Sequence, residues 1–294
     1  MNTKYNYRFI KTANELQSLM EDFKEKNINS LAMDFEEESN LHIYGEHLCI
    51  VQLYDKEHYY ILDALSLNKT QEGKKALEDF FLSPMEKIML ACQSDASLVR
   101  KTMGIQINNI LDVRVYAIAL EFMGNLTGLI ERNLGIQTED PKLKKKYQTA
   151  NWLIRPICEE QIAYALSDVQ YLFDLKDSLE KEIKEKLSTG KQKAVYFEMK
   201  HCALQKNKER PGWEKICNYK LLSKEEKIFI KHFFLARDTL ARKANTPAVN
   251  ILSKQTIVAM TRKRTWKGLI PENKKHLEPV FEKARLDALE ELNH

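Results

Sequence analysis

The chain has 294 residues, 44% hydrophobic and 30% charged, a balance that excludes a disordered segment and marks a folded globular protein. No apolar run approaches the roughly 18 residues of a membrane span, and the first residues, Met-Asn-Thr-Lys-Tyr-Asn-Tyr-Arg, lack the apolar core of a signal peptide. The net charge of +4 hides an asymmetry: residues 181–294 hold 26 Lys+Arg against 14 Asp+Glu, a net +12, whereas residues 1–180 carry −8. An acidic, metal-binding first part followed by a basic, polyanion-binding second part fits that split, and so do two ordinary solvated surfaces. Five scattered cysteines (Cys49, Cys92, Cys158, Cys202, Cys217) include no Cys-x-x-Cys pair. They argue against zinc and against a disulfide framework, so the expectation is a cytoplasmic protein with no membrane partner.

In chain order, Thr12-Ala-Asn-Glu15 is a capping box followed by Leu16, Met20 and Phe23 at helical spacing, which predicts a helix over 12–26. Leu31-Ala-Met-Asp-Phe-Glu-Glu-Glu38 then alternates as a strand. Leu48–Tyr54 and Tyr59–Leu65 are two further β-rich runs joined by Asp55–His58. Together they predict three antiparallel strands with the acidic strand on the inner side. Afterwards helix and strand alternate: a helix over 71–82, a strand at Lys87–Cys92, a helical run from Leu98 to Met103 led by Ser94-Asp95, and a strand at Asn109–Asp112. Helices follow over roughly 113–123, 126–134 and 159–187. The expected fold class is therefore α/β, a mixed sheet flanked by helices, followed by a small all-α helical bundle. Breaks near Ser188–Lys191 and Arg210–Trp213 divide the chain into a domain at 1–190, a connection at 191–212 and a bundle at 213–294. A second capping box, Ser223-Lys-Glu-Glu226, opens the bundle, whose helices are expected around 224–243, 253–263 and 272–292.

Side chains in a strand change face at every residue, so Asp34 and Glu36 point the same way while Leu31, Met33 and Phe35 pack on the other side. Two acids held side by side repel and lose solvation unless a cation lies between them, and a divalent metal with oxygen ligands is the natural occupant. Asp95 enters a helix just after a buried strand, where an ordinary N-terminal charge preference also accounts for it. Tyr164 and Asp168 are four apart in a helix and project together. What singles these residues out is the order and the element types in which all of them occur.

That order resembles the DEDD family of 3′–5′ exonucleases, whose three motifs are Asp-x-Glu, a second Asp, and a Tyr-x-x-x-Asp helix. Leu31–Tyr54 with Tyr59–Leu65 is similar to the first motif, and Ala91-Cys-Gln-Ser-Asp95 with Ile110-Leu-Asp112 to the second. Asn151-Trp-Leu-Ile-Arg-Pro156 running into Tyr164-Ala-Leu-Ser-Asp168 resembles the third motif of ribonuclease D. The resemblance covers about residues 8–187 and implies a ribonuclease H-like exonuclease fold. Phe234–Lys243 followed by Pro247–Met260 resembles the HRDC domain, a nucleic-acid-binding bundle of ribonuclease D and RecQ helicases; a bundle serving only packing or dimerisation is the other reading. The chain departs from ribonuclease D at Leu90-Ala91, where His-Ala is usual, and at Ala150-Asn151-Trp152, where Ser-Asp-Trp is usual. Neither position supplies a metal-binding carboxylate.

The resemblance implies removal of nucleotides one at a time from the 3′ end of single-stranded nucleic acid, with RNA favoured over DNA. Two divalent cations, Mg²⁺ or Mn²⁺, would be held by Asp34, Glu36, Asp95 and Asp168, with Asp34 bridging and Tyr164 orienting the water. The same chemistry on DNA is the nearest alternative, and a binding protein whose nuclease site has decayed is another. Asp112 either supports the site or has a purely structural role. Trp152 and Arg155 shape the third motif or approach the substrate. The basic run Lys142, Lys144, Lys145 and Lys146 is expected to meet phosphate. In the second domain Arg262, Lys263, Arg264 and Lys267 surround Trp266, which suits single-strand binding or, alternatively, a cation-rich helix end.

Overall fold

A computed structural model describes residues 5–137, 146–204 and 210–294. The described residues form two compact units. The first holds the chain up to Glu38 and from Glu46 through Leu204, and the second holds Ser39–Gly45 with Arg210 to His294.

The first unit is built on a six-stranded mixed sheet in the order β1-β4-β3-β2-β5-β6. Its strands are β1 (Tyr7–Ile10), β2 (Ser30–Ser39), β3 (Glu46–Tyr54), β4 (Tyr59–Leu62), β5 (Glu86–Met89) and β6 (Ile110–Asp112). The expected acidic strand is β2, and it lies inside the sheet between β3 and β5. Strands β3 and β4 pair antiparallel, while β5 runs parallel to both β2 and β6. β1 was not anticipated. It is only four residues long and pairs parallel with β4, placing Tyr7 beside Tyr59, so its partner lies 52 positions away and no local alternation announces it.

Helix α1 (Ala13–Glu25) follows the capping box as expected. Glu15 N–H donates to the Thr12 hydroxyl, and Glu15 carboxylate accepts the Thr12 N–H in return. The buried residues Leu16, Leu19 and Phe23 form its inner stripe. The expected strand through Leu65 stops at Leu62, because the Asp63 carboxylate accepts the Ser66 N–H and starts a short helix, α2 (Ala64–Leu67). Helices α3 (Gln71–Leu82), α4 (Gln93–Met103), α5 (Val113–Ala119) and α6 (Leu126–Leu134) follow. The expected helix at 159–187 is two helices, α7 (Glu159–Val169) and α8 (Leu172–Lys186), separated at Gln170–Tyr171. Helix α9 (Thr189–His201) continues past residue 190 and packs on β6 and α5, burying Val195 and Met199 in the first core. It is part of the first unit rather than a connection.

The second unit is all helical apart from its Ser39–Gly45 segment: α10 (Gly212–Lys215), α11 (Lys224–Lys243), α12 (Ala248–Ile251), α13 (Lys254–Lys263) and α14 (Glu278–Asn293). Phe229, Phe233, Ile257, Met260 and Phe281 are its fully buried centre. No helix among the described residues is long and apolar enough to cross a membrane.

Candidate active site

Each candidate acid is positioned by a different local rule. Asp34 and Glu36 stand two apart on β2 and share a face. Leu31, Met33 and Phe35 on the opposite face are buried in the main core, while Ala32 and Glu38 are buried on the acidic side, so the pair occupies a half-buried strip. The parallel register matches Ala32 to Ile88 and Met89 to Asp112, so Asp34, two residues on, lies level with the turn leaving β5.

That turn sets the direction of α4 and hence of Asp95, which sits in the helix's first turn where free amides favour a carboxylate. Ala91 is held there at φ 57°, a left-handed conformation that costs a residue with a Cβ about 1–2 kcal/mol. Asp112 stabilises it. One carboxylate oxygen accepts the Ala91 N–H at 2.7 Å and the Arg114 N–H at 2.9 Å, and the other accepts the Cys92 N–H at 3.0 Å. Asp112 is thus a buried backbone clamp that ends β6, caps α5 and pins the start of α4.

Tyr164 and Asp168 lie one turn apart on α7, and the phenol hydrogen-bonds to the carboxylate. The Tyr164 ring leans on Tyr147 at 5.5 Å between centroids and on Trp152 at 6.4 Å.

The electrostatics report how these elements converge. Burial, then the charges of Asp34, Asp168 and Asp95, push the Glu36 carboxyl well above its ordinary range. Burial, then Glu37 and Asp112, push Asp95 up to about 7. Burial, followed by Asp168, Glu36 and Asp34, raises the Tyr164 phenol. Acids from β2, α4 and α7 therefore act on one carboxyl group, Glu36. Asp34, Tyr164 and Asp168 also line one cavity of about 530 Å³, together with Ala91, Arg114 and Gln148. A carboxyl raised by burial and by three neighbouring acids fits a site for a hard divalent cation, whose charge would remove the penalty and whose preference is for oxygen. These acids stand more openly than a closed cluster. Among the described residues, the group of three donors drawn within 4.8 Å of one another is Cys92, Asp112 and Cys202.

The expected substrate contacts fare differently. Trp152 is 2% exposed and packs among Ile157, Ile162 and Leu166, so its indole is not available to a substrate. The Arg155 guanidinium closes on Asp63 at 2.7 and 3.1 Å and donates to the carbonyls of Cys49 and Trp152. Burial opposes the Asp63 charge, but the Arg155 and Ser66 hydrogen bonds outweigh it and hold the carboxyl below its usual range. Arg155 is therefore a strut between the end of β4 and the segment leading into α7. The sequence displays a cation near the third motif; only the fold reveals an acid 92 residues away that has claimed it.

Lys142, Lys144 and Lys145 lie outside the described residues. Lys146 is exposed, with its amine 4.8 Å from the Tyr147 ring centre. In the second unit Arg262 and Lys263 are exposed at the end of α13, with Arg262 3.6 Å from Glu226. Trp266 is half-buried, and its N–H donates to Glu282 at 2.6 Å. Arg114 was missed by sequence reasoning. It lines the cavity and donates to the carbonyls of Met123 and Gly124, and no residue spacing distinguishes it.

A mixed sheet that presents an acidic strand pair to a Tyr–Asp helix across a cavity is the architecture of a carboxylate-lined nuclease. The chain belongs to the 3′–5′ exonuclease family, which it matches over residues 7–184. Members of this family use divalent metal ions. Among its relatives, the chain is 24% identical over 272 residues to the exosome complex exonuclease RRP6 of Saccharomyces cerevisiae, covering 86% of this chain and 35% of that protein. It is 26% identical over 181 residues to ribonuclease D of Cronobacter turicensis, covering 60% of this chain and 45% of that one. The chain thus spans less than half the length of these relatives. In structure it resembles the catalytic core of RRP6 from Trypanosoma brucei, with a TM-score of 0.74 at 20% identity over 98% of this chain and 81% of that one. It also resembles Escherichia coli RNase D, an exoribonuclease involved in structured RNA processing, with a TM-score of 0.73 at 21% identity over 95% and 75%.

Proposed function

We propose that this protein is a metal-dependent 3′–5′ exoribonuclease that trims RNA 3′ ends. The observation that carries the reading is Glu36, whose carboxyl is raised by burial and by Asp34, Asp168 and Asp95 together. Nothing in folding rewards gathering these acids, and a cation does. RNA is favoured because the similar solved structures include an exoribonuclease involved in structured RNA processing and a Trypanosoma brucei RNase D in complex with RNA U12. Five free cysteines support a reducing, cytoplasmic setting.

Asp34, Glu36, Asp95 and Asp168 would hold two Mg²⁺ or Mn²⁺ ions. Such ions lower the pKa of a bound water and neutralise charge at a phosphoryl centre. The chain's own groups do the remaining work. Tyr164 has its phenol raised above an already high value, which suits a donor that orients water and not a base that takes its proton. Its ring is held by Tyr147 and Trp152, so the hydroxyl has little freedom to wander. Arg114 brings a cation to the cavity wall, and exposed Lys146 stands beside Tyr147, both suited to the phosphates of the strand. The basic helical unit would add sequence-independent grip through Arg262 and Lys263.

Purified protein incubated with end-labelled single-stranded RNA and DNA, in Mn²⁺, Mg²⁺ or EDTA, tests the reading. Stepwise shortening of RNA from the 3′ end is expected with either metal and none with EDTA. Asp34→Ala should reduce the rate by at least about 10³-fold, equivalent to about 4 kcal/mol of barrier. Activity that persists in EDTA or in Asp34→Ala would refute the site, and equal degradation of DNA would refute the RNA preference.

A further inference from the structure

Cys92 and Cys202 are separated by 110 residues, yet their sulfurs lie 3.8 Å apart with Cys92 donating to Cys202. Both are buried. Cys92 is the N-cap of α4, three residues before Asp95, and Cys202 directly follows α9. A second tie holds the same two helices in register: Arg100 of α4 donates to the Ala203 carbonyl at 2.6 Å. Asp112 lies within 4.8 Å of both sulfurs, but its oxygens already accept three backbone N–H groups. Two sulfurs are left as uncommitted donors, fewer than the three or four protein ligands with which zinc sites are built. A cavity of about 520 Å³, lined by Tyr116, Glu180, Tyr196, Met199, Cys202 and Ala203 among others, reaches Cys202 and not Cys92.

We propose that Cys92 and Cys202 are a dithiol–disulfide modification site: a small disulfide of the glutathione class enters this cavity and converts the pair to an intramolecular disulfide, slowing the nuclease reversibly. The Cys202 thiolate attacks one sulfur of the small disulfide, forming a mixed disulfide and releasing one thiolate. Cys92 then loses its proton and attacks the Cys202 sulfur, expelling the second thiol. Two protein thiols and one small disulfide become one protein disulfide and two small thiols, so electrons and protons balance. The hydrogen bond from Cys92 holds the Cys202 thiol below its ordinary value, while that same bond raises Cys92. The sulfur that faces the cavity is therefore the better attacking group. Bond formation takes the sulfurs from 3.8 Å to about 2.05 Å. The start of α4 is drawn toward α9, and Asp95 moves with it.

The full chain is equilibrated in glutathione buffers of increasing oxidation, quenched by alkylation and mapped as peptides without reduction. The expected result is a peptide pair linked through Cys92 and Cys202, with free thiols falling from five to three. The linkage should be absent in Cys202→Ala and present in Cys158→Ser, which alters an exposed cysteine outside the pair. Wild-type protein carries the primary readout, so the test survives a variant that fails to fold. Cys92 and Cys202 remaining alkylated as separate thiols at every ratio would overturn the proposal, as would equimolar zinc that survives dialysis and protects both. The effect on rate rests on the nuclease reading, whereas the peptide map does not. RNA shortening that slows several-fold on oxidation and recovers with a dithiol reductant supports the coupling, and an unchanged rate in fully linked, active protein overturns it.

Discussion

Asp112 and Glu36 are both carboxylates in the first unit, and they are treated in opposite ways. Asp112 is met on both oxygens by backbone N–H groups, three in all, and it holds the turn leaving β5, the end of β6 and the cap of α5. Glu36 is half-buried, and what surrounds it is the charge of Asp34, Asp168 and Asp95. A satisfied acid is part of the scaffold, whereas an acid raised by other acids is a site waiting for a cation. The contrast separates two roles that residue type alone cannot.

The largest effects should come from breaking each member in its own way. Asp34→Ala, which is expected to remove hydrolysis, should leave the metal-free fold as stable as before or raise its melting temperature, since it deletes a repulsive charge next to Glu36. Asp112→Ala should do the reverse. It orphans three backbone amides, each worth about 1–3 kcal/mol when buried without a partner, so chemical denaturation should reveal a loss of roughly 3 kcal/mol or more. If Asp34→Ala were the more destabilising of the two, the assignment of roles would be wrong.

A smaller effect sharpens the same contrast through pH. Asp95 is pushed from the ordinary 3.8 up to about 7, and Glu36 is raised in the same direction. A folded protein that binds these protons more tightly than the unfolded chain has its extra stability fully present below pH 3.8. It loses that stability as pH rises toward 7. The metal-free protein should therefore lose stability across this window, as measured by its melting temperature. Mn²⁺ or Mg²⁺ should raise the melting temperature more at pH 7.5 than at pH 5, because at low pH the cation must displace protons. A metal-induced shift that is the same at both pH values would sink this account.

The smallest expected effect concerns the second unit. Arg262→Ala with Lys263→Ala should weaken RNA binding and flatten its salt dependence by about 0.7 in slope for each phosphate no longer neutralised, without altering the rate at saturating RNA. An unchanged slope in a filter-binding series would remove these residues from the interface.

Much of this was legible in the sequence where the information is local. Asp34 and Glu36 are two apart in a strand, Tyr164 and Asp168 are four apart in a helix, and both capping boxes announce their helices. The failures share one cause, which is a partner far away along the chain. β1 is legible only beside β4, Arg155 only beside Asp63, and Cys92 only beside Cys202. Trp152 carries no mark of its burial, because three elements converge to cover it. The cysteines are the sharpest case. Their spacing argues against a disulfide framework, and the fold brings two of them together.

The left-handed backbone at Ala91 has a consequence for how this protein can change over time. One residue, Asp112, underwrites that kink while also ending a strand and starting a helix, so positions 91, 92 and 112 form a single heritable unit. Glycine at 91 would relax the demand on the acid, and asparagine at 112 would leave an oxygen for only part of the donors. Drift should therefore be admitted at 112 only in lineages that have first changed residue 91, an order of events that ancestral reconstruction can read directly.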